Sequence, residues 1–580
     1  MVRILKNINY IMGGKKKPYG LVFVFLLLAV LDVAGVGVVP LLVHSILVKG
    51  TEGGTANFLA TYFDATDKNE LITIMCCLLL LVFSVKSIVL LVSNYAIFKF
   101  SYRVMHKNRA ELIDLILDSS FELISNKSTA DFINLLQLHI NQTVSNYLVP
   151  LLRLISDLLV AFAIFLFLIV TMPEATLILA FILISTITLY LYLMRGKLYR
   201  YGRSSYKYNH GMIDLAKSVR LGFVDIVINN GRSYFRKLFK KCSSEMSEVQ
   251  LKSTFLRIIP RATLEWIVVT FVLVLVFVNS RGGGDSRELV TILATFGVAS
   301  MRLLPISNSI ATSLTVIRNT EPVVEKYIRE RELLRSNLPF NQKSIVEKKQ
   351  LLNDRDFVIT LENVSFSFPD KKTVLNDISL KLTKGKTIGI IGESGAGKST
   401  LISLILGLLS PTSGRVLING DDLSEIKSVD FFSYVPQFPF VSNDTLINNI
   451  TFSNENLSRD LILQLLNDLG LSEIVNGEVA TLETLIGENG INLSGGQVQR
   501  IALVRAFIRE RPFLVIDEAT SALDDLSSER VIKQIEKIKN QTSLLIVTHR
   551  KDVLEICDDI FELSDGSLQP FRSPKKKSIF

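Results

Sequence analysis

The stretch Gly392-Glu393-Ser394-Gly395-Ala396-Gly397-Lys398-Ser399-Thr400 has the spacing G-x-x-x-x-G-K-S. It follows the apolar run 387–391 and precedes a helical pattern starting near Leu401, which is the strand–loop–helix context that a phosphate cradle needs. Glycines let backbone N–H groups close around phosphate oxygens, and the next helix adds the positive end of its dipole. Lys398 is predicted to set a point charge against the outer phosphates of a nucleoside triphosphate, and Ser399 to offer an oxygen to Mg²⁺. A second apolar run, 513–517, ends in Asp517-Glu518. Asp517 is placed to orient Mg²⁺ through its coordination shell, and Glu518 to polarise an attacking water. Two successive carboxylates on a buried strand are costly unless positive charge lies nearby.

These residues sit in the second half of a chain of 580 residues, 48% of them hydrophobic. Short β-branched runs alternate with helical patterns from Phe357 onward, predicting an α/β domain with a largely parallel sheet over 356–580. The charged, polar segment 319–355 reads as a linker. The first part, 1–318, carries long apolar runs. A bilayer core of about 30 Å needs about 20 apolar residues in a helix, and six segments qualify: 20–48, 71–98, 147–171, 174–195, 258–280 and 288–317. Lys15, Lys16 and Lys17 precede the first run, which holds Asp32 and Pro40; it is too long for a cleaved signal peptide and reads as a first spanning helix. Breaks at Ser119-Ser120 and Asn229-Asn230-Gly231 mark where the long helical segments 99–146 and 196–257 turn back.

The formal net charge of +9 is unevenly placed. Residues 195–257 hold 14 Lys or Arg against four Asp or Glu, while 49–70 hold two basic residues against four acidic ones. That asymmetry follows the positive-inside rule and argues against nucleic acid as a partner. It puts the N-terminus and both long helical segments in the cytoplasm. The loop 49–70 contains Phe58, Leu59, Tyr62 and Phe63 at helical spacing, which suggests a small external amphipathic helix, with a plain loop as the alternative. Cys76, Cys77, Cys242 and Cys557 have no metal-ligand spacing and imply no disulfide framework.

Leu493-Ser494-Gly495-Gly496-Gln497, followed by Arg500, resembles the signature motif of the ABC family. The resemblance covers about 200 residues and extends the site residue by residue. Phe368 resembles the aromatic that stacks on adenine, and Gln437 the loop glutamine that senses Mg²⁺ and the membrane domain. Ser521-Ala522-Leu523-Asp524 resembles the D-loop, and His549 the switch histidine at the γ-phosphate. It implies ATP and Mg²⁺ as ligands, with Ser399, Gln437 and Asp517 toward the metal. It also implies that Ser494, Gly495, Gly496 and Gln497 of one subunit close on the phosphate loop of a second, so a dimer is expected. A homodimer would have two competent sites, since Glu518 and His549 are both present. Six helices ahead of the ATPase resemble the exporter branch, and Gly487-Glu488-Asn489-Gly490 resembles the exporter contact with the coupling helices; Ile486 stands where that contact begins with Thr or Val.

Substrate chemistry rests on charges inside the apolar segments. Lys86, Arg261 and Arg302 lie in the second, fifth and sixth of them, at depths of roughly 22, 28 and 21 Å at about 1.5 Å per residue. A centrally placed cation costs about 2.5–3.5 kcal/mol on insertion scales, so such residues face a cavity or a partner. One reading is a basic ring for an anionic headgroup such as a pyrophosphate, Arg holding oxygens in a bidentate fork. The other is ion pairing with Asp157 or Glu265, or snorkelling to the interface. Pro260-Arg261-Ala262-Thr263-Leu264-Glu265 and Arg302-Leu303-Leu304-Pro305, with Lys86 and the helix near Phe58, resemble bacterial PglK-type flippases of lipid-linked oligosaccharides, although Lys stands where that group has Arg in the second helix. The resemblance implies flipping of a polyprenyl-pyrophosphate-linked oligosaccharide in a bacterial inner membrane. Export of peptides, drugs or simple lipids such as lipid A is the alternative.

Overall fold

A computed structural model describes residues 10–12, 19–47, 68–281, 286–337, 357–368, 373–425, 431–454, 456–476, 481–487, 493–520 and 523–571. The suggested helix around Phe58, most of the contact segment after Gly487, and Ser521-Ala522 lie outside them. The chain divides into two compact units, the first made mainly of residues up to 338 and the second of those from 339 on.

The first unit is built from long helices: α1 (Tyr19–Leu47), α2 (Lys68–Leu117), α3 (Val149–Thr171), α4 (Pro173–Leu221), α5 (Arg232–Arg281) and α6 (Ser286–Ser336). A run of short helical turns, 121–148, leads into α3 and includes two π-helical stretches, Asn134–His139 and Val144–Leu148. The expected breaks appear at the end of α2 and just before α5, where Asn230 takes φ 55°. Met172, extended at φ −147°, separates α3 from α4, and Pro173 starts α4 where its missing N–H costs nothing. Five of the predicted spans coincide with helices long and apolar enough to cross a membrane among the described residues. The sixth, α6, falls short from Thr295 on, where Arg302, Ser307, Asn308 and Ser309 dilute its apolar sequence. It also continues to Ser336, so the residues from 319 to 336 that read as linker are helix, with Tyr327, Val324 and Leu334 buried along it.

The helices pack in two groups that share α6. One cluster joins α1, α3 and α6 through Leu28, Val36, Ile164, Leu168 and Leu303. The other joins α4, α5 and α6 through Leu183, Val268 and Phe296. The outward faces keep large apolar side chains in the open: Phe181 is 74% and Leu91 71% exposed. Apolar exposure on this scale marks a surface that lipid or another chain covers.

The second unit carries a six-stranded sheet of order β12-β11-β3-β10-β9-β6 and a four-stranded antiparallel sheet β2-β1-β4-β5. The strands are β1 (Val358–Ser367), β2 (Thr373–Thr383), β3 (Thr387–Ile391), β4 (Ser413–Ile418), β5 (Asp421–Asp422), β6 (Phe432–Val435), β7 (Asp444–Thr445), β8 (Leu485–Ile486), β9 (Phe513–Asp517), β10 (Ser543–Val547), β11 (Asp559–Ser564) and β12 (Ser567–Pro570). β9 and β10 are buried at every residue, as parallel strands covered on both faces should be. Helices α7 (Lys398–Ile405), α8 (Gly495–Phe507) and α9 (Asp525–Ile538) pack on this sheet. β10 pairs in parallel with both β3 and β9, and β9 with β6, so the loops leaving β3, β10, β9 and β6 emerge side by side.

Candidate functional site

Ligands of open α/β sheets sit outside the carboxyl ends of the strands. The phosphate-loop residues leave β3 there, Glu518 leaves β9, His549 leaves β10, and Gln437 leaves β6. Val547 pairs with both Ile390 and Asp517, which sets the three central strands level at that edge.

The phosphate loop has the backbone its glycines permit. Gly392, Gly395 and Gly397 take φ of 155°, 87° and 104°. A Cβ on Gly392 would lie 2.3 Å from the Leu563 carbonyl oxygen, so only glycine lets the loop turn against β11. Gly397 caps α7, whose first residues are Lys398, Ser399 and Thr400. The Lys398 ammonium donates to the Gly392 carbonyl at 2.5 Å, lies 3.1 Å from His549 Nε2, and is 3.8 Å from Glu518 Oε1. His549 Nε2 is 3.5 Å from the same carboxylate oxygen, and the Gln437 amide donates to the other, Oε2, at 2.7 Å. Three residues expected from sequence, Lys398, Gln437 and His549, therefore meet around the carboxylate of a fourth, Glu518.

Glu518 stands in the left-handed region at φ 48°, with its N–H donated to the Val547 carbonyl at 2.9 Å. A non-glycine residue there stores about 1–3 kcal/mol of strain, which the surrounding sheet must hold. Burial, and next the Glu518 carboxylate, push the Asp517 carboxyl above its ordinary range, against the pull of Lys398. Tyr434 on β6 bonds that carboxyl, and burial together with the Asp517 charge pushes its phenol up to about 12. Tyr434 was not singled out by motif reasoning; its place on the strand beside β9, three residues before Gln437, was the available signal.

The donors present suit Mg²⁺. Ser399 offers a hydroxyl, Asp517 a carboxylate in need of a counter-charge, and Gln437 a carbonyl oxygen left available once its amide nitrogen serves Glu518. No group of three or more His, Cys, Asp or Glu among the described residues could hold a metal alone. Mg²⁺ is characteristically bound by one or two carboxylates together with substrate phosphates.

The remaining predicted nucleotide residues keep to their own elements. Ser494 caps α8, accepting from the Gln497 N–H while the Gln497 side chain accepts from Ser494 N–H, and Gly495 and Gly496 open the helix. Arg500 donates to the Gly496 carbonyl at 3.3 Å and to the Gly470 carbonyl at 3.1 Å. Asp524 caps α9 through the Ser527 N–H. Phe368 meets Phe366 edge to face at 4.9 Å. Glu393, Ser394 and Ala396 complete the loop after β3.

The predicted basic ring is not what the helices assemble. Lys86 on α2 is buried and forms an ion pair with Asp32 of α1, which is buried too. The Arg302 guanidinium on α6 comes within 4.0 Å of the same Asp32 oxygen, and both cations lie over the Phe83 ring, at 5.8 and 4.8 Å. Arg261 stays apart on an exposed face of α5, as does Glu265. Asp157, the other partner considered, accepts a hydrogen bond from Ser309 at 2.5 Å. Ion pairing thus holds Lys86, through an acid expected from neither alternative. An isolated aspartate in an apolar run was itself the cue, since such a charge is buried only beside a cation.

Comparison with known proteins agrees with this architecture. The ABC transporter family profile matches residues 375–521. An export ATP-binding and permease protein of Rickettsia typhi is 39% identical over 223 residues, 37% of this chain and 39% of that protein. The chain therefore spans less than half the length of the first curated relatives it matches. An ATP-dependent lipid A-core flippase of Salmonella typhimurium is 30% identical across 60% of each chain, and one of Cupriavidus metallidurans 25% identical across 95% of this chain and 90% of its own. Among solved structures, a bacterial Atm1-family ABC exporter with ATP bound superposes with a TM-score of 0.78 at 16% identity, covering 95% of this chain and 94% of that one. Residues 375–521 thus match the ABC transporter family, on a chain whose fold is that of a solved bacterial ABC exporter.

Proposed function

We propose that this protein is an ATP-hydrolysing translocase that works as a homodimer in a bacterial inner membrane, with α6 as the sixth span and the ATPase unit in the cytoplasm. Its cargo is an anionic amphipathic lipid, moved from the inner to the outer leaflet. The observation that carries this reading is the meeting of Lys398, Gln437 and His549 around Glu518, on a chain with the exporter fold.

Chemistry follows from those positions. The phosphate-loop N–H groups and Lys398 hold the outer phosphates, and Phe368 stacks on the base. Glu518 orients and polarises a water toward the terminal phosphorus, and His549 steadies the phosphate that leaves. Ser399, Gln437 and Asp517 would hold Mg²⁺, which would supply positive charge against the nucleotide phosphates. Ser494, Gly495, Gly496, Gln497 and Asp524 complete the site of the other subunit, so each nucleotide ties two subunits together and its hydrolysis releases them.

For the cargo we favour a polyprenyl-pyrophosphate-linked oligosaccharide, on the resemblance of the Lys86, Arg261 and Arg302 segments. A lipid of the lipid A type is the second reading, favoured by the curated names of the Salmonella and Cupriavidus relatives. The exposure of Arg261 leaves the headgroup to Lys86 and Arg302, whose charge Asp32 offsets only in part. Purified protein in sealed vesicles, supplied with ATP and either lipid-linked oligosaccharide or lipid A, decides between them. Delivery of the first to the outer leaflet by wild type and not by Glu518→Gln is expected; delivery of lipid A alone selects the second reading, and delivery of neither rejects both.

A further inference from the structure

A polar cavity of about 250 Å³ lies among the helices of the first unit, away from the Asp32 cluster. Gln142 and Asn146 line it from the segment before α3, Tyr206 from α4, Gln250 and Arg257 from α5, and Asn319 from α6. Among the described residues that line it, Arg257 is the one formally charged residue. Its Nε is buried without a hydrogen-bond partner, and its Nη2 reaches only the Ser253 hydroxyl, at 3.5 Å. The Asn319 side-chain oxygen is likewise buried and unpartnered. Burying a guanidinium without a counter-ion is costly, and an unmade hydrogen bond to a charged group more so than a neutral one.

The rest of the wall says which ligand relieves that cost. Gln142, Asn146, Gln250 and Asn319 are neutral amides that donate and accept, the groups suited to hydroxyls. Tyr206 accepts a hydrogen bond from Lys326 at 2.5 Å, and that ammonium lies 4.6 Å from the ring, so its phenol can pass a proton donor into the cavity. Lys326 is itself 3.9 Å from Asp131, which leaves Arg257 as the uncompensated cation. Glycine at 202 keeps α4 against α6, because a Cβ there would come within 1.9 Å of the Asn319 carbonyl. The space, about 250 Å³ with mostly polar walls, admits a phosphate ester with a few hydroxyls. On α5 the cavity positions Gln250, Ser253, Thr254 and Arg257 are flanked by a stripe of Leu251, Phe255 and Ile258, exposed by 69%, 63% and 56%. A polar pocket bordered by an apolar stripe suits an amphiphile.

We propose that this cavity binds the hydroxylated phosphate headgroup of a lipid from the cytoplasmic leaflet, with Arg257 on the phosphate, Asn319 and the other amides on the hydroxyls, and the chains along the α5 stripe. The cytoplasmic placement rests on the membrane orientation proposed above; the binding chemistry does not. Native mass spectrometry of the full-length protein, released from membranes of equal phosphatidylglycerol and phosphatidylcholine, tests it without any need for ATP turnover or transport. Wild type is expected to retain phosphatidylglycerol preferentially, and Arg257→Gln to weaken that retention about tenfold or more. Asn319→Asp, which supplies an internal counter-ion at nearly constant volume, is expected to do the same, and Arg257→Lys to retain part of the preference. Titration with sn-glycerol 1-phosphate separates the sources: weak binding of the free ester supports a lipid ligand, whereas tight, Arg257-dependent binding of the ester alone overturns the lipid assignment. Equal phosphatidylglycerol retention by wild type, Arg257→Gln and Asn319→Asp overturns the site.

Discussion

In the proposed mechanism, turnover depends most directly on Glu518, whose carboxylate is held from both sides by Gln437 and by the Lys398–His549 pair. Glu518→Gln keeps the size but removes the charge proposed to polarise water. ATP hydrolysis should fall by about 10²–10⁴-fold while nucleotide binding persists; a fluorescent ATP analogue measures the second against the first. Gly392→Ala acts differently. Its Cβ meets a carbonyl oxygen in a backbone conformation that disfavours side chains, so the second unit should lose about 1–3 kcal/mol, read as a lower melting temperature with weakened nucleotide binding. The phosphate loop was fully legible in sequence because its chemistry uses contiguous backbone. Tyr434 was not, because its partner Asp517 lies on a neighbouring strand.

Among the elements, α8 shows how a motif and a fold serve each other. Ser494 and Gln497 lie in the stretch that resembles the signature, and they also form the reciprocal cap of α8. Ser494→Ala should cost about 1 kcal/mol from the lost cap, measurable by denaturation of the nucleotide-free protein and separable from any effect on hydrolysis. In the first unit, Asp32 ties α1 to α2 and α6. Asp32→Asn leaves Lys86 buried and unpaired, which should cost about 3–5 kcal/mol, whereas Asp32→Asn with Lys86→Met should recover much of it. Thermal melting in detergent of the two single variants and the double variant gives the coupling; additive losses would show that the pair does not hold these helices together.

At the scale of the whole molecule, the proposed dimer makes a kinetic claim. If each ATP site draws on two subunits, mixed dimers of wild type and Glu518→Gln should lose more activity than the wild-type fraction alone predicts. Co-purified mixtures assayed for ATP hydrolysis decide it, and a strictly linear decline would mean that the subunits work independently. The two-part organisation was visible early, because long apolar runs and β-branched strands demand different surroundings. The end of the helical unit was not: α6 buries Val324, Tyr327 and Leu334 along one face with the charged Arg331 among them, and a polar average conceals such a helix.

Sequence by itself determined what depends on neighbours along the chain. The glycine loop, the strand that feeds it, the Asp517-Glu518 pair and the apolar segment lengths all express backbone geometry over a few residues. Only the tertiary structure decided which side chains share a space. Helical phase turned Arg261 outward, drew Lys86 and Arg302 to Asp32, and brought Arg257 and Asn319 to the wall of one cavity. Those outcomes depend on how helices rotate to bury their faces, and rotation about a helix axis is fixed by the packing of its neighbours.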